Sequence, residues 1–205
     1  IKITNILAMS IDIKKNPKSE GKETVGQPGL LVMDMQDSLL SMINNNHELE
    51  EAIVFSLKAF DLLKLPICFT EQVPGKLGNT NDTILSASSS FECFSKKSFS
   101  AFGCSDFVDW VDRRRIQNLI VCGIETPICI YQTCVDALHR GIAVTLLVDC
   151  LGSRRVLDSK VALDQLRAFG CCALPVETLI YSMMDNSEHD SFRDVSSIVR
   201  SRDTN

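Results

Sequence analysis

The sequence of this 205-residue chain lacks the features that mark several large classes of protein. No apolar run approaches the roughly 20 residues that cross a bilayer, so we expect no membrane-spanning helix. The formal net charge at pH 7 is −5, and such a chain carries no general attraction for nucleic acid. The N-terminus shows no apolar segment followed by a small-residue cleavage site. These absences favour a small-molecule partner and a cytoplasmic location, with a mitochondrial or other organellar location as the alternative.

Histidine is scarce, and the cysteines have no regular spacing. The three histidines lie far apart in the sequence, and none stands beside a spaced Cys or carboxylate ligand. We therefore predict no metal site and no cofactor. The nine cysteines are odd in number and include no C-x-x-C pair, so they do not form a disulfide framework. Most of them lie in apolar runs, where free cysteine behaves as a small hydrophobic residue, and this usage is typical of a reducing compartment.

The sequence does contain short apolar runs that alternate with longer helical patterns. The runs that predict strands are GLLVMDM, PICFTEQ, FECFSKKSF, NLIVCG, AVTLLVD and CCALPV. This alternation predicts an α/β fold of three layers, in which helices cover both faces of a mostly parallel, doubly wound sheet of about six strands. Residues 1–28 are largely polar, with several Gly and Pro residues, and predict an N-terminal arm; residues 29–205 predict one domain.

Residues capable of chemistry follow the apolar core of several predicted strands. In a doubly wound sheet, ligands bind outside the carboxyl ends of the strands, at the point where the strand order reverses. The residues that this rule singles out are Asp34, Glu71, Lys96, Lys97, the segment 123–129 and Asp149. They are therefore expected near one edge of the sheet.

Cys129 is the candidate nucleophile of this group. Thr126 is a possible N-cap and Pro127 suits the first position of a helix, which places Cys129 in the first helical turn. Unpaired N–H groups and the positive end of the helix dipole favour a thiolate there, and the same N–H groups could bind an oxyanion. The Thr126 hydroxyl could compete for the Cys129 N–H. A buried cysteine of the core is the alternative interpretation.

A nucleophile needs a base and an electrostatic partner. His139 lies ten residues along the same helix, about 15 Å away, so it cannot reach the thiol. Asp34 can reach the thiol, because it ends another apolar strand at the same edge of the sheet. Lys96 or Lys97 could supply a positive charge. Candidate pocket residues, each with a structural role as the alternative, are Gln36, Glu71, Gln72 and Tyr131.

Three stretches, in order, resemble the isochorismatase-like hydrolase family: LLVMDMQDSLL, KKSFSAF and VCGIETPICIYQTCVDALHRGIAVTLLVDCLGSR. The stretch LPICFTEQVPGKLG resembles its isochorismatase domain-containing branch in particular. The resemblance implies a catalytic group of Asp34, Lys96 and Cys129, in which Asp34 takes the thiol proton and Cys129 attacks a carbonyl or nitrile-like carbon. It further implies a cis peptide between Ile124 and Glu125, an oxyanion hole made by the N–H groups of Glu125 and Cys129, and a homo-oligomer.

The departures from the family pattern narrow the expected chemistry. Nicotinamidases of the family bind a metal through a D-x-H motif after the second strand, where this chain has EQVPGKLG, so a nicotinamidase is not expected. Isochorismatases generally lack the cysteine, so Cys129 favours a small amide-type substrate with a C–N bond. Two alternatives stay open: a non-catalytic oligomeric interaction protein on the same scaffold, and an RNA-processing protein that uses Arg113 to Arg115. Arginines at a helix end usually complement the helix dipole and stay in water.

Overall fold

The computed structural model describes residues 26–202, and the first 25 residues of the predicted arm lie outside this range. Six strands form one sheet in the order β3-β2-β1-β4-β5-β6, and all five neighbouring pairs are parallel. The α/β prediction with about six strands is confirmed. The strands are β1 (Gln27–Met33), β2 (Ile67–Gln72), β3 (Glu92–Lys96), β4 (Ile116–Gly123), β5 (Ala143–Leu151) and β6 (Cys172–Leu174). Because β1 begins at Gln27, the strand includes the last two residues of the predicted arm.

Helices connect successive strands, as parallel pairing requires. The segment after β2 contains two short helices, α3 and α4. No helix within residues 26–202 is long and apolar enough to cross a membrane. The helices are α1 (Asp37–Leu40), α2 (Asn46–Leu62), α3 (Pro74–Leu77), α4 (Asp82–Leu85), α5 (Ser105–Arg113), α6 (Tyr131–His139), α7 (Val156–Ala168), α8 (Val176–Met184) and α9 (Phe192–Arg202).

Two apolar cores lie on the two faces of the sheet. Successive side chains of a strand point to opposite faces, so β1 contributes Leu30 and Val32 to one core and Leu31 and Met33 to the other. The first core also includes side chains of α2, α8 and α9, whereas the second includes side chains of α5, α6 and α7. Because both faces are covered, the central strands are continuous apolar runs in the sequence.

The strand order reverses between β1 and β4, and this switch point sets the position of the site. At the end of β4, the N–H of Ile124 donates to the carbonyl of Met33 at 3.0 Å. Gly123 has a φ of 110°, and a Cβ at that position would lie 2.2 Å from the carbonyl oxygen of Met33. Only glycine accepts both the positive φ and this close approach. The chain leaving β4 is therefore placed directly beside the chain leaving β1.

Candidate active site

A buried ion pair joins the ends of β1 and β3. Asp34 follows β1 with a φ of 55°, and Lys96 is the last residue of β3. The Lys96 Nζ lies 2.7 Å from the Asp34 Oδ2, and the two residues are only 3% and 1% exposed. Strand β2 lies between them, so the long lysine side chain spans its end; there Nζ also donates to the Gln72 Oε1 at 2.6 Å. The Thr70 hydroxyl donates to the other carboxylate oxygen of Asp34 at 2.9 Å.

The environment of Asp34 makes its carboxylate a better proton acceptor than an exposed aspartate. Burial raises the pKa of Asp34, because a charged carboxylate loses solvation in the interior. The charge and hydrogen bond of Lys96 lower the pKa but do not cancel this effect. A general base works best when its pKa approaches the operating pH. The raised pKa of Asp34 is therefore a favourable property in a base.

The Cys129 thiol lies against the same carboxyl group. Its side chain hydrogen-bonds to Asp34, and the backbone N–H of Glu125 donates to its sulfur. Burial, followed by the negative charge of Asp34, raises the pKa of Cys129 to about 12, although Lys96 acts in the opposite direction. The thiolate expected from the helix terminus is therefore not the resting form, because loss of solvation and a nearby carboxylate outweigh the helix dipole. Cys129 therefore rests as a thiol beside the Asp34 carboxyl group.

The turn that carries Cys129 begins one residue earlier than the sequence predicted. A π-helical turn, Thr126–Ile130, runs directly into α6, and Glu125 rather than Thr126 is the N-cap. The Thr126 hydroxyl donates to the carbonyl of Gly152 at 2.9 Å, so it does not compete for the Cys129 N–H. The prediction of Thr126 as the cap is wrong because tertiary contact with the end of β5 recruits its hydroxyl. Cys129 nevertheless lies in the first turn, and the peptide between Ile124 and Glu125 is cis, as predicted.

Hydrogen bonds connect the cysteine helix to the segment after Lys96. The Thr133 hydroxyl donates to the carbonyl of Cys129 at 2.7 Å and accepts from the N–H of Ala101 at 2.9 Å. The Ser100 hydroxyl donates to a carboxylate oxygen of Asp136 at 2.6 Å. These bonds give the KKSFSAF stretch a structural purpose: they fix the segment that follows the lysine to the helix that follows the cysteine.

Two of the predicted substrate-binding residues support the loop that follows β2. The Gln36 side chain is fully buried and bonds only to backbone: it donates to the carbonyls of Gln72 and Gly78 and accepts from the N–H of Gln72. The Glu71 carboxylate accepts from both the N–H and the hydroxyl of Thr80, at 2.7 and 3.0 Å. These bonds give both side chains a structural role, and their part in substrate binding stays a prediction.

The remaining candidates lie outside the hydrogen bonds that join Asp34, Lys96 and Cys129. Tyr131 is half-buried at the start of α6 and packs against the second core, so its role in substrate binding stays a prediction. The Lys97 side chain is exposed, and only its backbone carbonyl accepts a bond from the Gln72 side chain, at 2.9 Å. The Asp149 carboxylate accepts from the N–H of Val176 at the start of α8, at 2.9 Å.

Sequence reasoning missed Thr70 as a member of the site. Met33 pairs with Thr70 across the β1–β2 register, and a strand alternates its side chains between faces. Thr70 and Gln72 therefore point toward Asp34 and Lys96, whereas Glu71, which the sequence singled out, points the other way. The alternation of β2 itself contained the signal, because Thr70 and Gln72 lie two residues apart and so share one side of the strand.

Within residues 26–202, no group of three or more His, Cys, Asp or Glu side chains is placed to bind a metal ion. The chemistry that the described residues offer is that of a thiol, a carboxylate and an ammonium group. The arrangement can transfer the thiol proton to Asp34 while Lys96 balances the charge of the site.

Comparison with known proteins places this geometry in a family. The isochorismatase domain model matches residues 28–178. The isochorismatase domain-containing protein 2A of Mus musculus is 31% identical over 171 residues, which cover 83% of this chain and 82% of that protein. The MAR1 ribonuclease of Caenorhabditis elegans is 29% identical with a TM-score of 0.80, and the match covers 84% of this chain and 89% of that one.

A more distant solved structure shares the fold alone. The YcaC gene product of Escherichia coli, an octameric hydrolase of unknown specificity, is 18% identical with a TM-score of 0.74, over 86% of this chain and 94% of that one. The family model covers most of residues 26–202, including every residue of the Asp34, Lys96 and Cys129 cluster. The chain belongs to the isochorismatase family.

Proposed function

We propose that this chain is a cysteine hydrolase that acts on a small amide-type substrate. The observation that carries the proposal is the single carboxyl group of Asp34, which bonds both the Lys96 ammonium at 2.7 Å and the Cys129 thiol. A buried pair of opposite charges with a thiol attached is costly to maintain for structure alone. Perturbed titratable groups of this kind cluster at functional sites.

The first chemical step follows from the resting protonation states. Because the pKa of Cys129 is raised to about 12, the thiolate is generated only as the substrate is attacked. The thiol proton passes to Asp34 while the sulfur forms a bond to the carbonyl carbon and the carbonyl π electrons move to oxygen. Lys96 stays protonated, and its positive charge stabilises the negative charge as it moves from the Asp34 carboxylate to the substrate oxygen.

The second step releases the amine and then the acid. The N–H groups of Glu125 and Cys129 are the proposed donors to the oxyanion, and the Glu125 N–H already points at the sulfur. When the C–N bond breaks, Asp34 returns its proton to the leaving nitrogen, and a thioester remains on Cys129. A water molecule deprotonated by Asp34 then attacks the thioester, which gives the carboxylic acid and restores the thiol.

The Glu125 side chain stabilises the turn that presents these donors. Its two carboxylate oxygens accept bonds from the backbone and guanidinium of Arg154, which lies just after β5. Together with the Thr126 bonds to Gly152, these contacts attach the cysteine turn to the end of β5. Positioning of this kind is what an oxyanion hole requires, because its donors must be in place before the charge develops.

A screen of small primary and substituted amides for amine release tests the proposal. The full chain is incubated with each compound, and intact mass spectrometry after acid quenching detects the acylated form. Turnover together with an acyl group mapped to Cys129 supports the mechanism. Turnover that survives in Cys129→Ala would overturn it.

For a substrate found in this way, the dependence of kcat/KM on pH has an expected shape. The active form has Asp34 ionised and Cys129 protonated, so kcat/KM falls as the pH drops through the raised pKa of Asp34. On the alkaline side the Cys129 pKa of about 12 leaves kcat/KM level through mildly alkaline pH. A bell-shaped profile with an alkaline limb near pH ~8.5 would contradict the assignment, since it would require a thiol of ordinary pKa.

A ribonuclease is a second candidate, because the similar C. elegans structure is described as one. The arginines of this chain give it weak support: Arg113 and Arg114 pair with Glu92 at 2.9 and 3.1 Å. Arg115 lies beside Gln27 at the start of β1, the end of the strand away from Asp34. We therefore propose a small-molecule substrate and no nucleic-acid partner.

Filter binding of single-stranded RNA at two salt concentrations separates the two candidates. Real phosphate contacts must give a steep loss of affinity as salt increases. For single-stranded RNA, a tenfold rise in salt lowers the affinity by about 0.7 powers of ten for each phosphate contacted. We expect no salt-dependent binding by the full chain. Binding that weakens steeply with salt, and that is lost in Arg115→Ala, would favour the ribonuclease.

A further inference from the structure

Gln72 lies beside Lys96 at the carboxyl edge of the sheet. It is the last residue of β2 and pairs in register with Lys96, the last residue of β3. Residues in register on neighbouring strands place their side chains on the same face of a sheet. The lysine side chain must cross the end of β2 to reach Asp34, and the half-buried side chain of Gln72 occupies that end.

The hydrogen bonds of the Gln72 side chain fix which way its amide group faces. Its Oε1 accepts from the Lys96 Nζ at 2.6 Å, and its Nε2 donates to the carbonyl of Lys97 at 2.9 Å. An ammonium group can only donate and a carbonyl oxygen can only accept, so the reversed amide would lose both bonds. Two partners of opposite kind therefore turn the amide oxygen of Gln72 toward Lys96.

The main chain of Gln72 is held in place as well. Its N–H donates to the Gln36 Oε1 at 2.8 Å, and its carbonyl accepts from the Gln36 Nε2 at 3.1 Å. Gln36 is fully buried and lies two residues after Asp34. The N–H of Val73 donates to the carbonyl of Lys96 at 2.9 Å. Gln72 is therefore bonded to both chain segments that carry the ion pair.

The Lys96 ammonium group has three protons, and two of them have strong acceptors. The Asp34 Oδ2 and the Gln72 Oε1 accept from it at 2.7 and 2.6 Å. The carbonyl of Ser98 lies at 3.4 Å, which is long for a hydrogen bond. Because Lys96 is buried, these oxygens replace the water that would otherwise solvate the charge. The amide oxygen of Gln72 does so without adding negative charge beside Asp34.

We propose that Gln72 is a positioning residue that holds the Lys96 ammonium against Asp34. This role rests on the proposed hydrolase function, in which the charge of Lys96 stabilises the negative charge that moves during attack by Cys129. Without the Gln72 bond, the ammonium keeps one strong acceptor and is free to leave this position. The loss should therefore appear in the chemical step, whereas a role confined to supporting the loop after β2 would alter substrate affinity.

Two substitutions of Gln72, measured on the amide identified by screening, test the proposal. Methionine has a similar size but no amide oxygen, so Gln72→Met should lower kcat about 10- to 100-fold and leave KM within a few-fold of wild type. Gln72→Glu keeps an acceptor for Lys96 but adds a like charge near Asp34, which raises the pKa of that carboxyl group further. The acid limb of kcat/KM should then move to higher pH by about one pH unit.

Gln165→Met is the matched control, because Gln165 is an exposed glutamine on α7, and its kcat, KM and pH profile should equal those of the wild type. Far-ultraviolet circular dichroism of each variant verifies the fold. A Gln72→Met variant with the kcat of the wild type, or with a raised KM as its only defect, would overturn the proposal. An acid limb of Gln72→Glu at the wild-type pH would overturn it equally.

A second measurement needs no substrate. Nitrogen-15 NMR of the lysine side chains follows the exchange of the Lys96 ammonium protons with water. Exchange should be at least about 10-fold faster in Gln72→Met than in the wild type, because one of two strong acceptors is gone. If the wild type turns over no amide, the hydrolase proposal fails, and this exchange rate still decides whether Gln72 holds Lys96. An unchanged rate would reject the positioning role even in an active hydrolase.

Discussion

Replacement of Cys129 by alanine is expected to lower kcat/KM by at least about 10³-fold, because the proposed mechanism uses its thiol as the nucleophile. The substitution removes the thiol that bonds to Asp34 but leaves the Asp34–Lys96 pair intact. Stability should therefore change little, by about 1 kcal/mol or less. The measurement is turnover of the amide identified by screening, with urea unfolding on the same samples.

Cys134→Ala is the matched control for this prediction. Cys134 lies five residues further along the same helix, is fully buried, and belongs to the second core. Its replacement removes one sulfur atom from the core, so a modest loss of stability with activity within a few-fold of wild type is expected. If Cys134→Ala and Cys129→Ala lower turnover equally, the effect comes from packing of the helix, and Cys129 is not the nucleophile.

Replacement of Lys96 by methionine is expected to destabilise the fold by about 3–5 kcal/mol, because the Asp34 carboxylate stays buried without its partner. Lys96 is 3% exposed and donates to both Asp34 and Gln72, so methionine fills similar space but restores neither bond. Lys97→Met is the control. Its side chain is exposed, and a change of about 0.5 kcal/mol or less is expected. Chemical unfolding monitored by tryptophan fluorescence measures both.

Removal of the unpaired charge should rescue this variant. In Lys96→Met/Asp34→Asn the buried carboxylate is replaced by a neutral amide, so the double variant should be more stable than Lys96→Met alone.

The loss of stability in Lys96→Met should also depend on pH, with a definite sign. The pKa of Asp34 is already raised by burial and rises further without Lys96, so ionisation in the fold costs stability. The defect should shrink as the pH falls through that pKa; a pH-independent defect without rescue would point to lost packing instead.

The fold could be predicted from the sequence because the signals for its strands and helices are local and mutually consistent. Continuous apolar runs such as LLVM and LIVC require cover on both faces, and parallel strands require helical connections between them. Together these two facts leave few architectures. The start of β1 at Gln27 differs from the predicted boundary because pairing with β4 extends the strand into a segment whose composition is polar.

The candidate site residues could be predicted less fully, since their roles depend on neighbours that are distant in the chain. Asp34, Lys96 and Cys129 could be chosen because each follows or ends a strand at the same edge, and the resemblance to a family selected Lys96 over Lys97. Gln36 was chosen by the same logic, but its amide bonds to the loop after β2.

The sequence by itself determined the α/β class, the parallel sheet and the sheet edge at which the candidate site residues lie, because apolar periodicity and strand ends are properties of short segments. Only the tertiary structure decided the pKa shifts and hydrogen-bond partners of those residues. The pKa of Cys129 is raised to about 12 because the thiol is buried beside a carboxylate that lies 95 positions earlier in the chain. The orientation of the Gln72 amide likewise became visible only when pairing with β3 placed Lys96 and Lys97 beside the end of β2. Solvation and charge at a site depend on everything that surrounds it, and that surrounding exists only after folding.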